Sequence, residues 1–280
     1  MPPSLLLERT QAGPNPRQEQ AARAKGVPQG RSRTVTLLRG VAGVTVLAAL
    51  WEFLPRAGVV DAYFIPPLHV VLQAWWKLAE SGVLWQDIQS SLGRSGAGFA
   101  IAVLIGIPLG ATIAWSRPVR EFFQPVLEIF RNTAALALLP AFTLVLGIGE
   151  TSKVAIVTYA CFFPILLNTI SGVASVDPQL LRTARVLGLS PVTTFRKVVL
   201  PAALPTIFTG VRIAGSVAIL VLIAAEMVGA NSGIGYLINY AEFNFLIPKM
   251  YAAILTASAL GLAVNYSLVA IERRFSRWRT

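Results

Sequence analysis

The chain has 280 residues, of which 55% are hydrophobic and 13% are charged. So few charges cannot cover a soluble domain of this size, and the composition therefore excludes a soluble globular protein. A single cysteine, Cys161, and a single histidine, His69, exclude a disulfide framework and a metal cluster built from these side chains. Cys161 lies in an apolar run and is predicted to be a core residue, whereas His69 is predicted to lie at the surface or to cap a helix.

The N-terminal region differs from the rest of the chain. Residues 1–35 are rich in Arg, Gln, Pro, Gly and Ala and lack a continuous apolar face, which is typical of a disordered tail. Its basic residues predict contact with the anionic inner leaflet of a membrane. The long charged region and the absence of a small-residue cleavage site argue against a cleavable signal peptide. Residues 36–280 are predicted to form the transmembrane domain.

Six apolar segments within this domain are long enough to span a bilayer, which requires about 20 residues. They predict an all-α, polytopic membrane protein with spans at 36–54, 94–115, 122–147, 153–174, 203–228 and 249–271. Residues 66–80, between the first two spans, place apolar side chains on one helical face and predict an interfacial helix. Gly106 and Gly110 have GxxxG spacing in the second span, which favours close helix packing.

The distribution of basic residues predicts the orientation of these spans. Seventeen of the 24 Lys and Arg residues fall in the two terminal regions, the 116–120 turn and the 175–201 loop. Only five fall in the opposite loops and their flanks. Because basic residues stay on the cytoplasmic side, both termini and the 175–201 loop are predicted to be cytoplasmic. The net charge of +11 is therefore explained by topology, and binding to nucleic acid is not predicted.

The 175–201 loop is polar and basic, although it lies between two predicted spans. Asp177-Pro178 predicts a helix N-cap followed by proline at the first helical position, and Gly188 predicts the end of that helix. The helix has about ten residues, so it is about 15 Å long and too short to cross a bilayer. Ser190-Pro191 predicts a second short helix, and Pro201 the entry to the next span. From these residues alone, the loop is equally compatible with a simple connection along the membrane face.

The sequence contains no pattern typical of an enzyme. Residues 147–153 resemble a phosphate-binding loop, but Ser152 stands directly before Lys153 where that loop needs a glycine, and we interpret them as a tight turn on the external side. Residues 229–235 are rich in glycine but do not follow a predicted strand, so an irregular external loop is the preferred interpretation. ATP hydrolysis is therefore not predicted for this chain.

Ionisable residues within predicted spans are candidates for a translocation pathway, because exposure of a charge to lipid is costly. Arg131 and Asn132 in the third span could meet an anion in the pathway, and Glu226 in the fifth span could shape an outer gate. The alternatives are a pair between Arg131 and Glu128 or Asn132, and a snorkelling Arg212 that reaches the inner headgroups. Asn168 and Thr169 are equally well explained by hydrogen bonds between helices.

The 175–201 loop resembles the cytoplasmic EAA loop of binding-protein-dependent ABC importer permeases. That loop has Glu-Ala-Ala, three residues, Gly, nine residues and Ile-x-Leu-Pro, and it docks into a cleft on the ATPase subunit. The resemblance implies ATPase-coupling roles for Arg182, Thr183, Ala184, Gly188, Leu200 and Pro201. Arg182 replaces the glutamate of the family and Thr183 its first alanine, so the acid–base contact made by that glutamate is not implied here.

Residues 85–279 as a whole resemble the nitrate/sulfonate/taurine branch of these permeases, most clearly over 91–110, 144–178 and 200–238. The resemblance implies a type I importer permease in the bacterial inner membrane, carrying no cofactor itself. It implies a homodimer, two ATPase subunits that hold ATP and Mg, and an extracytoplasmic substrate-binding protein. The solute would be an organic sulfonate, nitrate or a similar small anion.

The residues also leave open a different class, an ATP-independent secondary transporter or channel. Many secondary transporters contain internal repeats and charged sites at the membrane midplane. No repeat relates the two halves of this sequence, and the 175–201 loop would have no particular task in such a protein. A dependence of uptake on ATP rather than on the proton gradient would distinguish the two classes.

Overall fold

The structure is a computed structural model that describes residues 33–275, except for the side chains of residues 33–38, 40 and 275. Every regular element in this part of the chain is a helix. The ten α-helices are α1 (Arg33–Arg56), α2 (Leu68–Glu80), α3 (Val83–Trp115), α4 (Arg117–Arg131), α5 (Leu139–Leu146), α6 (Glu150–Ala174), α7 (Pro178–Val186), α8 (Pro191–Glu226), α9 (Ile234–Phe243) and α10 (Ile247–Phe275). Nearly all of the predicted N-terminal tail lies outside the described residues.

Four of the described helices are long and apolar enough to cross a membrane, namely α3, α6, α8 and α10. A fifth crossing could be made by α4 together with residues 135–146, which form a pair bent by 81°. The predicted first span, 36–54, falls within α1, for which the structure does not describe all of the side chains. The all-helical, multi-span prediction is confirmed.

The predicted continuous span 122–147 is corrected, because the chain breaks after Arg131. A short 3₁₀ helix, Ala135–Leu138, separates α4 from α5. Asn132 donates its side-chain amide to the carbonyl of Glu128, and the Thr133 hydroxyl donates to the carbonyl of Ile129. Polar side chains that bond to the preceding turn in this way favour a helix end over continuation. The sharp bend follows from this break.

The predicted separate helix after Ser190 is also corrected, because it is continuous with the next span. The segment Pro191–Thr194 passes through a single π-helical stretch, Phe195–Val199, into Leu200–Glu226. Pro201 lacks an N–H, and its ring would clash with a carbonyl of the preceding turn in a regular α-helix. The wider π turn accommodates the proline without ending the helix.

The core is built around α6, which packs between α3 and α8 over most of its length. A Cβ added to Gly110 of α3 would lie 2.8 Å from the Cβ of Thr169, and one added to Gly210 of α8 would lie 2.5 Å from the Cβ of Asn168. Glycine is therefore needed where these helices approach each other. The predicted close packing at Gly106 and Gly110 is confirmed, and Cys161 is fully buried in this core as predicted.

The predicted interfacial helix 66–80 is observed as α2, but its apolar face covers protein. Val71 and Leu78 are buried against residues of α9 and α10. His69 lies at the surface as predicted, and its backbone N–H donates to the Glu52 carboxylate at 3.1 Å. Glu52 thus caps α2 from α1.

Candidate functional site

The helix ends that the sequence predicted around α7 are present. The Asp177 carboxylate accepts a hydrogen bond from the Gln179 N–H at 2.8 Å, which caps the N-terminus of α7. Gly188 has φ +68°, and the Leu189 N–H after it donates to the Ala184 carbonyl at 3.1 Å. This arrangement is the left-handed glycine termination of a helix. Its effect is to fix the direction in which the tip of α7 points.

Helix α7 has two different faces. The residues on its outer face, Arg182, Thr183 and Val186, are exposed, and so is Leu187, which follows its last residue. Val186 retains 88% and Leu187 69% of their exposure, so a polar and basic segment presents two adjacent large apolar side chains. Ala184 lies on the opposite face and is 2% exposed, so it packs inside this chain.

The residues of the family pattern are therefore divided between these faces. Leu200 and Pro201 are partly buried in the first turn after the π segment of α8. Arg182, Thr183 and Gly188 are exposed, whereas Ala184 is not. The pattern did not single out Val186 and Leu187. Their position next to a helix-ending glycine, in a loop predicted to be cytoplasmic, was the signal that could have identified them.

Arg131 lines a cavity of about 320 Å³ between α4, α6 and α8. The cavity is lined mainly by aromatic and small apolar residues, together with the polar side chains of Thr133 and Asn168. Asn132 is next in sequence but is not among the lining residues. The structure therefore places two of the polar residues discussed above, Arg131 and Asn168, at the same cavity.

The charged residues considered for the pathway have partners within the chain. Arg131 pairs with Glu128 at 3.3 Å, with both side chains about half exposed, as in the alternative interpretation. Arg212 pairs with Glu272 of α10 at 3.3 Å and keeps 38% of its side-chain exposure, and its reach to the inner headgroups stays a prediction. Asn168 and Thr169 donate to carbonyls of their own helix and not to a neighbouring one.

Three aromatic residues form one wall of the Arg131 cavity. The rings of Phe130 and Phe163 are stacked with centroids 6.0 Å apart, and Tyr159 meets Phe163 edge to face at 5.2 Å. The Tyr159 hydroxyl donates to the Phe130 carbonyl at 3.3 Å, which ties α6 to the end of α4. Sequence reasoning missed this wall, because its two sides are far apart in the chain.

Glu226 lies at the centre of a buried polar cluster at the end of α8. Its carboxylate accepts from Arg94 at 2.6 Å, from the Ser91 hydroxyl at 2.8 Å and from the Gly235 N–H at 3.0 Å. The side chain is completely buried, while that of Arg94 is 7% exposed. Arg94 also forms a two-pronged pair with Glu150 at the start of α6. The role of Glu226 in a gate stays a prediction.

The same cluster joins two glycine-rich segments, the predicted tight turn 147–153 and the predicted irregular loop 229–235. Arg94 donates to the Ser232 carbonyl at 2.7 Å and to its hydroxyl at 2.9 Å. Lys153 donates to the carbonyls of Gly149 and Gly229, one in each loop. Arg94 and Lys153 were both counted as loop or flanking charges, yet both are buried. The local sequence around Arg94 and Lys153 did not reveal their burial, because their partners come from distant segments of the chain.

The arrangement defines a class of protein: a helical membrane permease with a surface helix between two long spans. Residues 102–277 match the model of the family described as the binding-protein-dependent transport system inner membrane component. This match covers more than half of the chain, which therefore belongs to that family. It is an inner-membrane, multi-pass protein.

Two relatives show the similarity over most of the sequence. A permease of Bacillus subtilis (strain 168) that is named for aliphatic sulfonates transport is 32% identical over 242 residues, covering 86% of this chain and 88% of the relative. The taurine transport system permease protein TauC of Escherichia coli (strain K12) is 33% identical over 252 residues, covering 88% of this chain and 91% of TauC. The predicted nitrate/sulfonate/taurine branch is thereby confirmed.

The fold is shared with solved transporters. A chain of the inward-facing MetNI methionine ABC transporter has a TM-score of 0.59 at 21% identity, covering 69% of this chain and 96% of that one. A chain of an amino acid ABC transporter has a TM-score of 0.54 at 19% identity and similar coverage. At these identities the similarity concerns the fold, which is that of type I importer permeases.

Proposed function

We propose that this chain is the membrane-spanning subunit of an ATP-driven importer for a small organic sulfonate such as taurine. Two copies form the pathway, two separate ATPase subunits bind ATP and Mg, and an extracytoplasmic binding protein delivers the solute. The observation that carries the coupling part of this proposal is the exposed apolar tip of α7. The sulfonate assignment is supported by the names of the relatives and by the arginine at the α4–α6 cavity.

The geometry of α7 and α8 supports a mechanical link to a partner. Helix α7 is capped at both ends and is held between the spans α6 and α8, so a force on its tip moves rigid elements. Helix α8 begins in the same loop and continues for 36 residues to the buried cluster around Glu226. At 1.5 Å per residue it is about 54 Å long. A displacement at Pro191 would therefore be felt at the opposite end of the bundle.

Co-purification tests the class of transporter. The chain is tagged at its C-terminus, extracted from native membranes in mild detergent, and its partners are identified. We expect an ATPase with Walker motifs, because the exposed side chains of Val186 and Leu187 need an apolar cleft on a partner to cover them. Its ratio to the chain should be near one to one, since the proposed assembly contains two copies of each. Isolation of the chain alone, under conditions that preserve other membrane complexes, would favour the secondary-transporter class.

A glycine comparison tests the docking surface. Gly188→Leu places a bulky side chain beside the tip of α7, and we expect at least tenfold less ATPase to co-purify. Gly188 has φ +68°, so the substitution also strains the backbone, although no atom lies within 4 Å of the added Cβ. Gly58→Leu is the matched control, because Gly58 has φ +70° and equally open surroundings, and it lies in the loop between α1 and α2. Equal ATPase recovery from the two variants would contradict docking at α7.

An arginine comparison tests the pathway. Taurine uptake is measured in proteoliposomes that hold the whole transporter with its binding protein and ATP. Removing a hydrogen bond to a charged group costs about 1.5–3 kcal/mol, so Arg131→Gln should lower uptake about tenfold or more. Glu128→Gln, which removes the helix ion pair but keeps the arginine, should retain most uptake. Equal losses in the two variants would mean that Arg131 serves only its pair with Glu128.

A further inference from the structure

We propose that the cleft beneath α7 binds the headgroup of an anionic phospholipid from the inner leaflet, with one acyl chain lying along α3. The cleft has a volume of about 440 Å³, within the range of about 300–1,000 Å³ that ligand sites occupy. This inference rests on the cytoplasmic placement of α7 in the proposed function. No role in binding the solute or the ATPase is required of this cleft.

The rim of the cleft is basic. Arg117 and Arg120 come from the start of α4, and Arg185 comes from α7. Among the described residues that line the cleft, three are arginines and none is acidic. Arg117 forms an ion pair with Glu121, whose carboxylate accepts a hydrogen bond from the guanidinium group at 2.8 Å. A phosphate diester between these arginines would supply the acceptor oxygens that the guanidinium groups match.

The floor of the cleft is apolar, and a second groove continues from it. This groove has a volume of about 460 Å³ and is lined by Pro108, Ala111, Trp115, Val192 and Phe195, with Thr112 between them. Trp115 and Pro191 line both spaces. From Trp115 back to Pro108, α3 rises by about 10 Å towards the membrane interior. A basic pocket that opens into such a groove fits a molecule with an anionic head and an apolar chain.

The position of Trp115 agrees with this occupant. Tryptophan is enriched at the level of lipid headgroups, and Trp115 is 48% exposed at the end of a long apolar helix. Basic pockets between transmembrane helices on the cytoplasmic side are a recurring form of lipid recognition. An acidic segment of a partner protein would satisfy the arginines but would leave the apolar groove unfilled.

The cleft also lies on the inner face of α7, away from the exposed tip. Leu181, Arg185 and Leu189 line it, whereas Val186 and Leu187 point outwards. A bound lipid would therefore contact α4 and α7 together without covering the surface proposed for the ATPase. The bound lipid would stabilise the position of α7, which would therefore depend on the lipid composition of the inner leaflet.

Fluorescence quenching tests the site directly. The full chain in detergent is titrated with phosphatidylglycerol brominated on its acyl chains, and the Trp115 signal is obtained by difference from Trp115→Phe. We expect saturable quenching with at least tenfold higher affinity than for brominated phosphatidylcholine. Equal quenching by the two lipids would overturn the proposal, and so would competition by millimolar inorganic phosphate, which would indicate a free anion.

Arginine variants locate the headgroup. Arg120→Gln and Arg185→Gln should each lower the affinity for brominated phosphatidylglycerol about fivefold, which corresponds to about 1 kcal/mol per basic residue near a membrane surface. Arg196→Gln is the matched control, since Arg196 is exposed in the π segment of α8 but does not line the cleft. All variants should elute as the wild type does in size exclusion. Identical affinities for control and cleft variants would contradict the assignment.

The outcome can be separated from that of the proposed function. Val186→Asp should abolish ATPase recovery while lipid quenching remains, because the two surfaces are on opposite faces of α7. Loss of lipid selectivity with normal ATPase recovery would remove the lipid site alone. Displacement of the bound lipid by the purified ATPase would show that the cleft belongs to the protein partner and would overturn the proposal.

Discussion

Arg94 binds two carboxylates from different helices, and only one of them is accessible to water. Glu226 is completely buried, whereas the Glu150 side chain is 67% exposed. A buried ion pair gains its stability from the full set of hydrogen bonds around it, and Ser91 and Gly235 complete that set for Glu226. The exposed pair with Glu150 adds much less, because water competes for it.

These two environments predict different effects of substitution. Arg94→Met leaves the Glu226 carboxylate buried without its cation, which should cost about 3–5 kcal/mol and lower the melting temperature in detergent by about 10 °C. Glu150→Gln should cost less than about 1 kcal/mol. Both are measured by thermal unfolding of the purified chain. A larger loss in Glu150→Gln than in Arg94→Met would mean that the Arg94–Glu226 pair is not shielded from water in the folded protein.

Two glycines only two positions apart in α3 provide a test at the level of the element. A Cβ on Gly98 would lie 2.8 Å from the Cβ of Val157 and 2.9 Å from the Val154 carbonyl, whereas nothing lies within 4 Å of one on Gly96. Gly98→Ala should therefore destabilise the protein by about 1–3 kcal/mol through overpacking. Gly96→Ala should be neutral or stabilising by up to about 1 kcal/mol, from helix propensity.

Thermal unfolding of the two alanine variants in one detergent is the measurement. Because both substitutions add the same methyl group to the same helix, the difference between them isolates the contact with α6. Equal melting temperatures would mean that α3 and α6 can separate enough to accept a methyl group without loss.

Element boundaries show where reasoning from the sequence stopped. The caps at Asp177 and Gly188 were predicted because each depends on a side chain or a backbone freedom of one residue. The break after Arg131 and the continuity through Pro201 were not. In the first case, hydrogen bonds from side chains to the preceding turn ended the helix within an apolar segment. In the second, a π-helical turn accommodated Pro201 without ending the helix.

At the scale of the whole molecule, the orientation in the membrane follows from the distribution of charge. Val59, between α1 and α2, is 73% exposed and is predicted to lie outside. Lys197, in the π segment of α8, is exposed and is predicted to lie inside. The native Cys161 is fully buried, so it should contribute little background labelling.

Thiol labelling measures this orientation. In intact spheroplasts, an impermeant maleimide should label Val59→Cys at least tenfold more than Lys197→Cys. After permeabilisation both should be labelled, while the wild-type chain remains unlabelled. The opposite pattern would place α7 outside the cell, where it could not meet an ATPase that uses cytoplasmic ATP.

The sequence by itself determined that the chain is a helical membrane protein, and it gave the approximate positions of most spans and the ends of α7. These properties depend on the composition of the chain, and on apolar periodicity and capping residues that act over a few neighbouring residues. The tertiary structure decided which charges are buried together and which face of α7 is free. Arg94 meets Glu226 across 132 positions of the chain, and Ala184 is hidden while Val186 is exposed. Such pairings arise only when helices distant in sequence pack side by side, because the low-dielectric interior then requires each buried charge to find a partner.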